Sequence, residues 1–81
     1  MAFAKVPLTS SYEVISADAT FTAQNISSGV AEVLFAAAPP APTDDGLLIP
    51  PYAGVDQDMG TGTLYGRNLD ADRIVVFVVS T

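Results

Sequence analysis

Arg73-Ile74-Val75-Val76-Phe77-Val78-Val79-Ser80 is the stretch whose reading decides the fold. Four valines, an isoleucine and a phenylalanine in succession predict a strand, because branched and aromatic side chains suit a pleated, packed surface. Side chains alternate along a strand, so Ile74, Val76 and Val78 share one face and Val75, Phe77 and Val79 the other. Both faces are apolar. A strand of a two-layer domain gives one face to its own core, so a second body is expected over the other. Residues 74–79 are therefore the expected self-association surface, in a dimer or trimer.

The segments upstream fit the same architecture. Thr63-Leu64-Tyr65-Gly66-Arg67 predicts a short strand, joined to the last one by the polar turn Asn68-Leu69-Asp70-Ala71-Asp72. Leu47-Leu48-Ile49 predicts another, ended by Pro50-Pro51. Tyr52 to Val55 is expected to run on into an acidic, glycine-rich loop, Asp56 to Gly62. Before these lies the connection Ala38 to Gly46, whose prolines favour extended backbone and whose Asp45-Gly46 signals a tight turn.

Val30 to Ala38 admits two readings. Val30, Val33, Leu34 and Ala37 sit at helical spacing, with Ser27 or Ser28 as a cap and Pro39-Pro40 as a stop. As a strand, Ala31, Val33, Phe35 and Ala37 line one face and Glu32 reaches solvent on the other. The segment is short for a helix and flanked by strand candidates, so a strand is expected. Thr20 to Asn25 alternates polar and apolar residues and predicts a half-buried strand; Tyr12 to Ile15 predicts one more. Asn25-Ile26-Ser27-Ser28-Gly29 reads as a turn.

Six or seven short strands separated by turns predict an all-β domain, a small antiparallel β-sandwich or open barrel over residues 12–81. Residues 1–11 read as an extended N-terminal arm: Pro7 and Thr9-Ser10-Ser11 oppose regular structure, and the segment is either a frayed terminus or an arm whose Phe3, Val6, Pro7 and Leu8 lie on a neighbouring subunit.

Composition narrows the function classes. At 81 residues there is room for one domain and one modest core. Charged residues make up 15%, below the ~25% of ordinary soluble domains, which points to surface meant for a partner. A net charge of −6, with Lys5, Arg67 and Arg73 as the cations, disfavours nucleic acid and anionic membranes. The start of the chain lacks a secretory pattern and no stretch is long enough for a membrane helix, so a soluble protein made in the cytoplasm is expected.

Chemistry has few carriers. Cys and His are absent, which removes thiolate nucleophiles, the commonest general base and the commonest transition-metal ligand. Asp56-x-Asp58-x-Gly60 has the spacing of a calcium loop, but the twelfth position holds Arg67 where an acid is required. Asp70-x-Asp72 adjoins Arg73, which neutralises it. Glu13 and Glu32 are the only acids on expected strands, and Ser27-Ser28 has no base to activate it. Neither an enzyme nor a cofactor or metal is expected. Tyr12, Tyr52 and Tyr65 are candidates for packing or for a sugar-binding platform.

Three stretches together are familiar: Gln24 to Gly29 leading through an apolar strand to Ala38-Pro39; Asp45-Gly46-Leu47-Leu48-Ile49-Pro50; and Gly62-Thr63-Leu64-Tyr65-Gly66-Arg67-Asn68 before a valine-rich last strand. Their order, over roughly residues 20–81, resembles small β-sandwich structural proteins of tailed bacteriophages, including capsid decoration (cement) proteins. Those proteins often have Gly after the proline that follows the Leu strand, where this chain has Pro51. The resemblance implies a non-catalytic virion protein on the capsid surface. Its partners would be the major capsid protein and further copies of itself; residues 1–11 lie outside the resemblance, and the arm reading of them offers Phe3, Val6, Pro7 and Leu8 as the capsid contact. A tail, neck or head-fibre component, and a carbohydrate-binding module with Tyr52 and Tyr65 as its platform, are the alternatives.

Overall fold

The computed structural model describes residues 3–70 and 72–81. Among them are eight strands: β1 (Phe3–Leu8), β2 (Glu13–Ser16), β3 (Thr22–Asn25), β4 (Ala31–Ala36), β5 (Leu47–Ile49), β6 (Gly54–Asp56), β7 (Thr63–Asn68) and β8 (Val75–Ser80). A single 3-10 turn, Gln57–Met59, follows β6. The strands pair antiparallel in two four-stranded sheets, β1-β8-β3-β6 and β2-β7-β4-β5, an arrangement consistent with a small β-sandwich.

The valine-rich stretch forms β8, a central strand hydrogen-bonded to β1 on one side and β3 on the other. Val75 and Phe77 are fully buried and Val79 nearly so, facing Ala31, Val33 and Leu64 of the second sheet in one continuous core. Burying each such side chain contributes about 1.5–3 kcal/mol. Phe21, ahead of β3, and Phe35 of β4 tie the two sheets together, with ring centroids 6.4 Å apart.

Val30 to Ala38 resolves as the expected strand, trimmed to Ala31–Ala36. Two expectations are corrected. Residues 3–8 of the expected arm are a strand, paired with β8 from Phe3↔Ser80 to Leu8↔Val75. Leu8 is buried and Val6 packs on the core. Pro7 misled because it argues against a central strand, whereas β1 is an edge strand, where a missing N–H is tolerated. These residues thus belong to the β1-β8-β3-β6 sheet. The second addition is β6, which spans the end of the Tyr52 to Val55 stretch and the first residue of the expected acidic loop: Val55 alternates inward between Gly54 and Asp56, and the strand pairs with β3. These two strands raise the count above six or seven.

Gly66 of β7 makes room for two core side chains, Ile15 of the adjacent strand β2 and Leu8 of the facing sheet. A Cβ there would collide with the side chain of Ile15 and press on Leu8, so the absence of one lets β1 and β2 close over the core.

Candidate functional site

Alternation divides the predicted contact residues between two environments. Val6, Leu8, Val75, Phe77 and Val79 belong to the core. Phe3, Pro7, Val76 and Val78 lie on the outer face of the β1-β8-β3-β6 sheet, and Ile74, 78% exposed, stands just before β8. The residues expected as an arm and those expected for self-association therefore share one surface, because β1 and β8 are neighbours.

That outer face has two ends of different character. At one end Pro7 is paired with Val76, and Ile26 donates its N–H to the Val76 carbonyl at 3.0 Å. With Ile74 next in line, this end is aliphatic. At the other end the cross-strand row runs Phe3, Ser80, Thr22, Asp56, and the next row Lys5, Val78, Gln24, Gly54. This second end is concave, a cleft of about 350 Å³ with Phe3 on one side and Tyr52 and Met59 on the other.

Tyr52 owes its position to the turn after Pro50-Pro51. Its φ is 67°, in the left-handed region, and its N–H donates to the Asn25 carbonyl at 2.7 Å. The Gln24 Nε2 donates to the Tyr52 carbonyl at 3.0 Å. Asn25, wholly buried, braces the same turn: its Nδ2 donates to the carbonyl of Gly29 at 2.9 Å and that of Ile49 at 3.3 Å. Its Oδ1 accepts from the Ser27 N–H at 3.0 Å and hydroxyl at 2.6 Å. Every polar atom of that side chain is thereby matched, as burial requires. Ser27 is thus a turn residue, and Ser28 Oγ accepts from Arg73 Nη1 at 2.9 Å.

The other sheet holds the principal charged cluster among the described residues. Glu32 is 6% exposed, contrary to the expectation that it reaches solvent. Arg67, its cross-strand partner, donates from Nε to Glu32 Oε1 at 2.7 Å, and the Gly46 N–H donates to Oε2 at 2.9 Å. Nη1 of Arg67 continues to the Pro42 carbonyl at 2.7 Å, and Tyr12 donates its hydroxyl to the Asp44 carbonyl at 2.7 Å. The Arg67 guanidinium lies 4.3 Å from the centre of the Tyr12 ring. The proline-rich connection thus folds over this sheet and shields the pair from water. The Gly46 N–H, followed by Arg67, lowers the Glu32 pKa, with burial opposing. The hydrogen bond to Glu32 raises that of Arg67. This is a structural lock, with both partners occupied.

The remaining candidates separate in space. Tyr65 is 7% exposed on β7, whereas Tyr52 stands at the rim of the opposite sheet, so the two do not form one sugar platform. Asp56 caps the 3-10 turn, its Oδ1 accepting from the Asp58 N–H at 2.9 Å. Asp70 pairs with Arg73 at 3.2 Å. No group of three or more carboxylates placed to hold a metal ion occurs among the described residues. The Phe3–Tyr52 cleft escaped sequence reasoning because its walls lie 49 positions apart on opposite edges of the sheet. No family model, no curated protein and no solved structure matches this chain.

Proposed function

We propose that this chain is a non-enzymatic structural protein of a bacteriophage virion, a capsid decoration (cement) protein made in the host cytoplasm. It binds the major capsid protein and bridges neighbouring capsomers as a dimer or trimer. The turn and strand motifs that resemble phage decoration proteins support the reading. The observation that carries it is the aliphatic end of the outer face, where Pro7, Ile26, Ile74 and Val76 lie together on a chain whose core is already complete without them. Ile74 and Ile26 are exposed in the single chain, and a partner that covers them removes that apolar surface from water. A closed symmetric oligomer covers such a patch without starting a filament.

Cryo-electron microscopy of particles carrying the protein tests this reading. Density for a two-sheet domain at every capsomer junction, in hundreds of copies, is the expected result. A few copies at the tail, neck or a head fibre would assign it to that part of the virion, and absence from particles would overturn the proposal.

A further inference from the structure

The aliphatic end of the outer face leaves its concave end free, and that cleft has the make-up of a ligand site. Its two walls are aromatic and open: Phe3 is 69% exposed and Tyr52 66% exposed. Its floor is mixed: the Thr22 and Ser80 hydroxyls and the Gln24 amide, whose Nε2 also donates to the Tyr52 carbonyl, are arranged on adjacent strands in register with Val78 between them. Asp56 closes the end with a carboxylate. Flat apolar walls over a hydrogen-bonding floor suit a ligand with apolar faces and a polar edge.

Tyr52 strengthens the case. A φ of 67° is uncommon for a residue with a side chain, and glycine fits such a turn with less strain. The chain instead places an aromatic ring there, fixes its backbone through Asn25 and Gln24, and leaves the ring mostly in water. Strained positions held by a surrounding network concentrate at binding sites. A backbone fixed beneath the ring also lessens the freedom lost when a ligand stacks on it.

We infer that the cleft between Phe3 and Tyr52 binds a neutral saccharide, its sugar faces on the two rings and its hydroxyls on Gln24, Thr22 and Ser80. The volume of about 350 Å³ falls at the lower end of small-molecule clefts, about 300–1,000 Å³, and suits one or two sugar rings. Asp56 and the net charge of −6 oppose uronic or sialic acids.

The test is a titration of the full chain, followed by backbone amide NMR signals, with cellotriose, maltotriose and triacetylchitotriose, and with trigalacturonate as the charged control. At least one neutral trisaccharide is expected to shift the Thr22, Gln24, Gly54 and Ser80 signals saturably, while trigalacturonate does not. Tyr52→Ala and Phe3→Ala, with spectra otherwise native, should each weaken binding by about tenfold. Four results overturn the inference: no saturable shift at millimolar sugar, shifts confined to the other sheet, equal binding of trigalacturonate, or unchanged binding after Tyr52→Ala. Dissociation of an oligomer by Tyr52→Ala, with no sugar response in the wild type, would make the ring a subunit contact instead.

Discussion

Glu32 and Arg67 face each other across β4 and β7, and the pair is closed over by the Gly46 N–H, which donates to the second carboxylate oxygen at 2.9 Å. A carboxylate so held titrates in the folded state below its ordinary value of 4.5. Folding then gains from its ionisation. The gain is complete above about pH 4.5 and fades as pH falls through the lower folded value. Melting temperature should therefore drop below pH 4.5 in the wild type. Glu32→Gln should lower it at neutral pH and flatten the acid slope, because the half-buried Arg67 is left beside an uncharged partner. Equal slopes for the two proteins, by thermal melts from pH 3 to 7, would assign the acid sensitivity to other carboxylates.

The arrangement of the core predicts a sharp contrast along β8. Phe77→Ala removes a fully buried ring and should cost about 3–5 kcal/mol. A domain of 81 residues has about 4–12 kcal/mol in all, so this substitution should leave much of the protein unfolded at 37 °C. Val76→Asp, on the outer face beside Pro7, should fold and instead give monomers. Sedimentation equilibrium and urea melts separate the two effects. A wild-type monomer at micromolar concentration would remove the self-association part of the proposed function.

Shortening the chain tests β1. A protein beginning at Ser10 loses Val6 and Leu8 from the core, about 1.5–3 kcal/mol for a fully buried side chain such as Leu8, and strips one edge of β8 of its ladder. It should melt far below the full-length chain, or not fold. Retention of the native melting temperature would restore the view of residues 3–8 as a docking arm.

How much of this was legible in the sequence depended on the range of the interaction. Strands β5, β7 and β8 announce themselves through runs of branched and aromatic residues bounded by turns, which are local signals, whereas β4 has helical spacing as well and is assigned from its length and flanking strands. Strand β1 was hidden because Pro7 rules out only a central place in a sheet, and sequence does not show which strands are edges. Glu32 looked solvent-facing for a related reason. Its alternation was read correctly, but the cover on that face comes from the Ala38 to Gly46 connection and its partner lies 35 positions away. Asn25 was legible as a turn residue, whereas its bracing of the Pro50-Pro51 turn depends on how β3 meets the end of β5.

That bracing yields a further expectation. Asn25→Ala leaves the Gly29 and Ile49 carbonyls and the Ser27 N–H without their partner, at about 1–3 kcal/mol for a buried group so abandoned. The loss should exceed that of Ser27→Ala, which removes a single bond from the same network. Amide exchange should also accelerate at Tyr52 and Ala53, whose N–H groups close the turn. Protection unchanged at those two amides would show that the Pro50-Pro51 turn stands without Asn25.

Tyr52 allows backbone strain to be measured apart from the ring. Tyr52→Ala and Tyr52→Gly both remove the side chain, so they differ only in what the backbone tolerates at φ 67°. A left-handed conformation costs a non-glycine residue about 1–2 kcal/mol. Glycine avoids that cost but gives back about 0.4–1 kcal/mol through its freer unfolded chain. The glycine variant should therefore be the more stable of the two by up to about 1.6 kcal/mol, each kcal/mol being about 4–8 °C in a domain of this size. It should also match or exceed the wild type, because a ring 66% exposed contributes little to the core. If alanine is tolerated as well as glycine, the turn relaxes on substitution and the backbone around Tyr52 is not enforced. In that case backbone strain no longer argues that the ring is held ready at the cleft, and the saccharide reading rests on the cleft's lining and on the Tyr52→Ala titration.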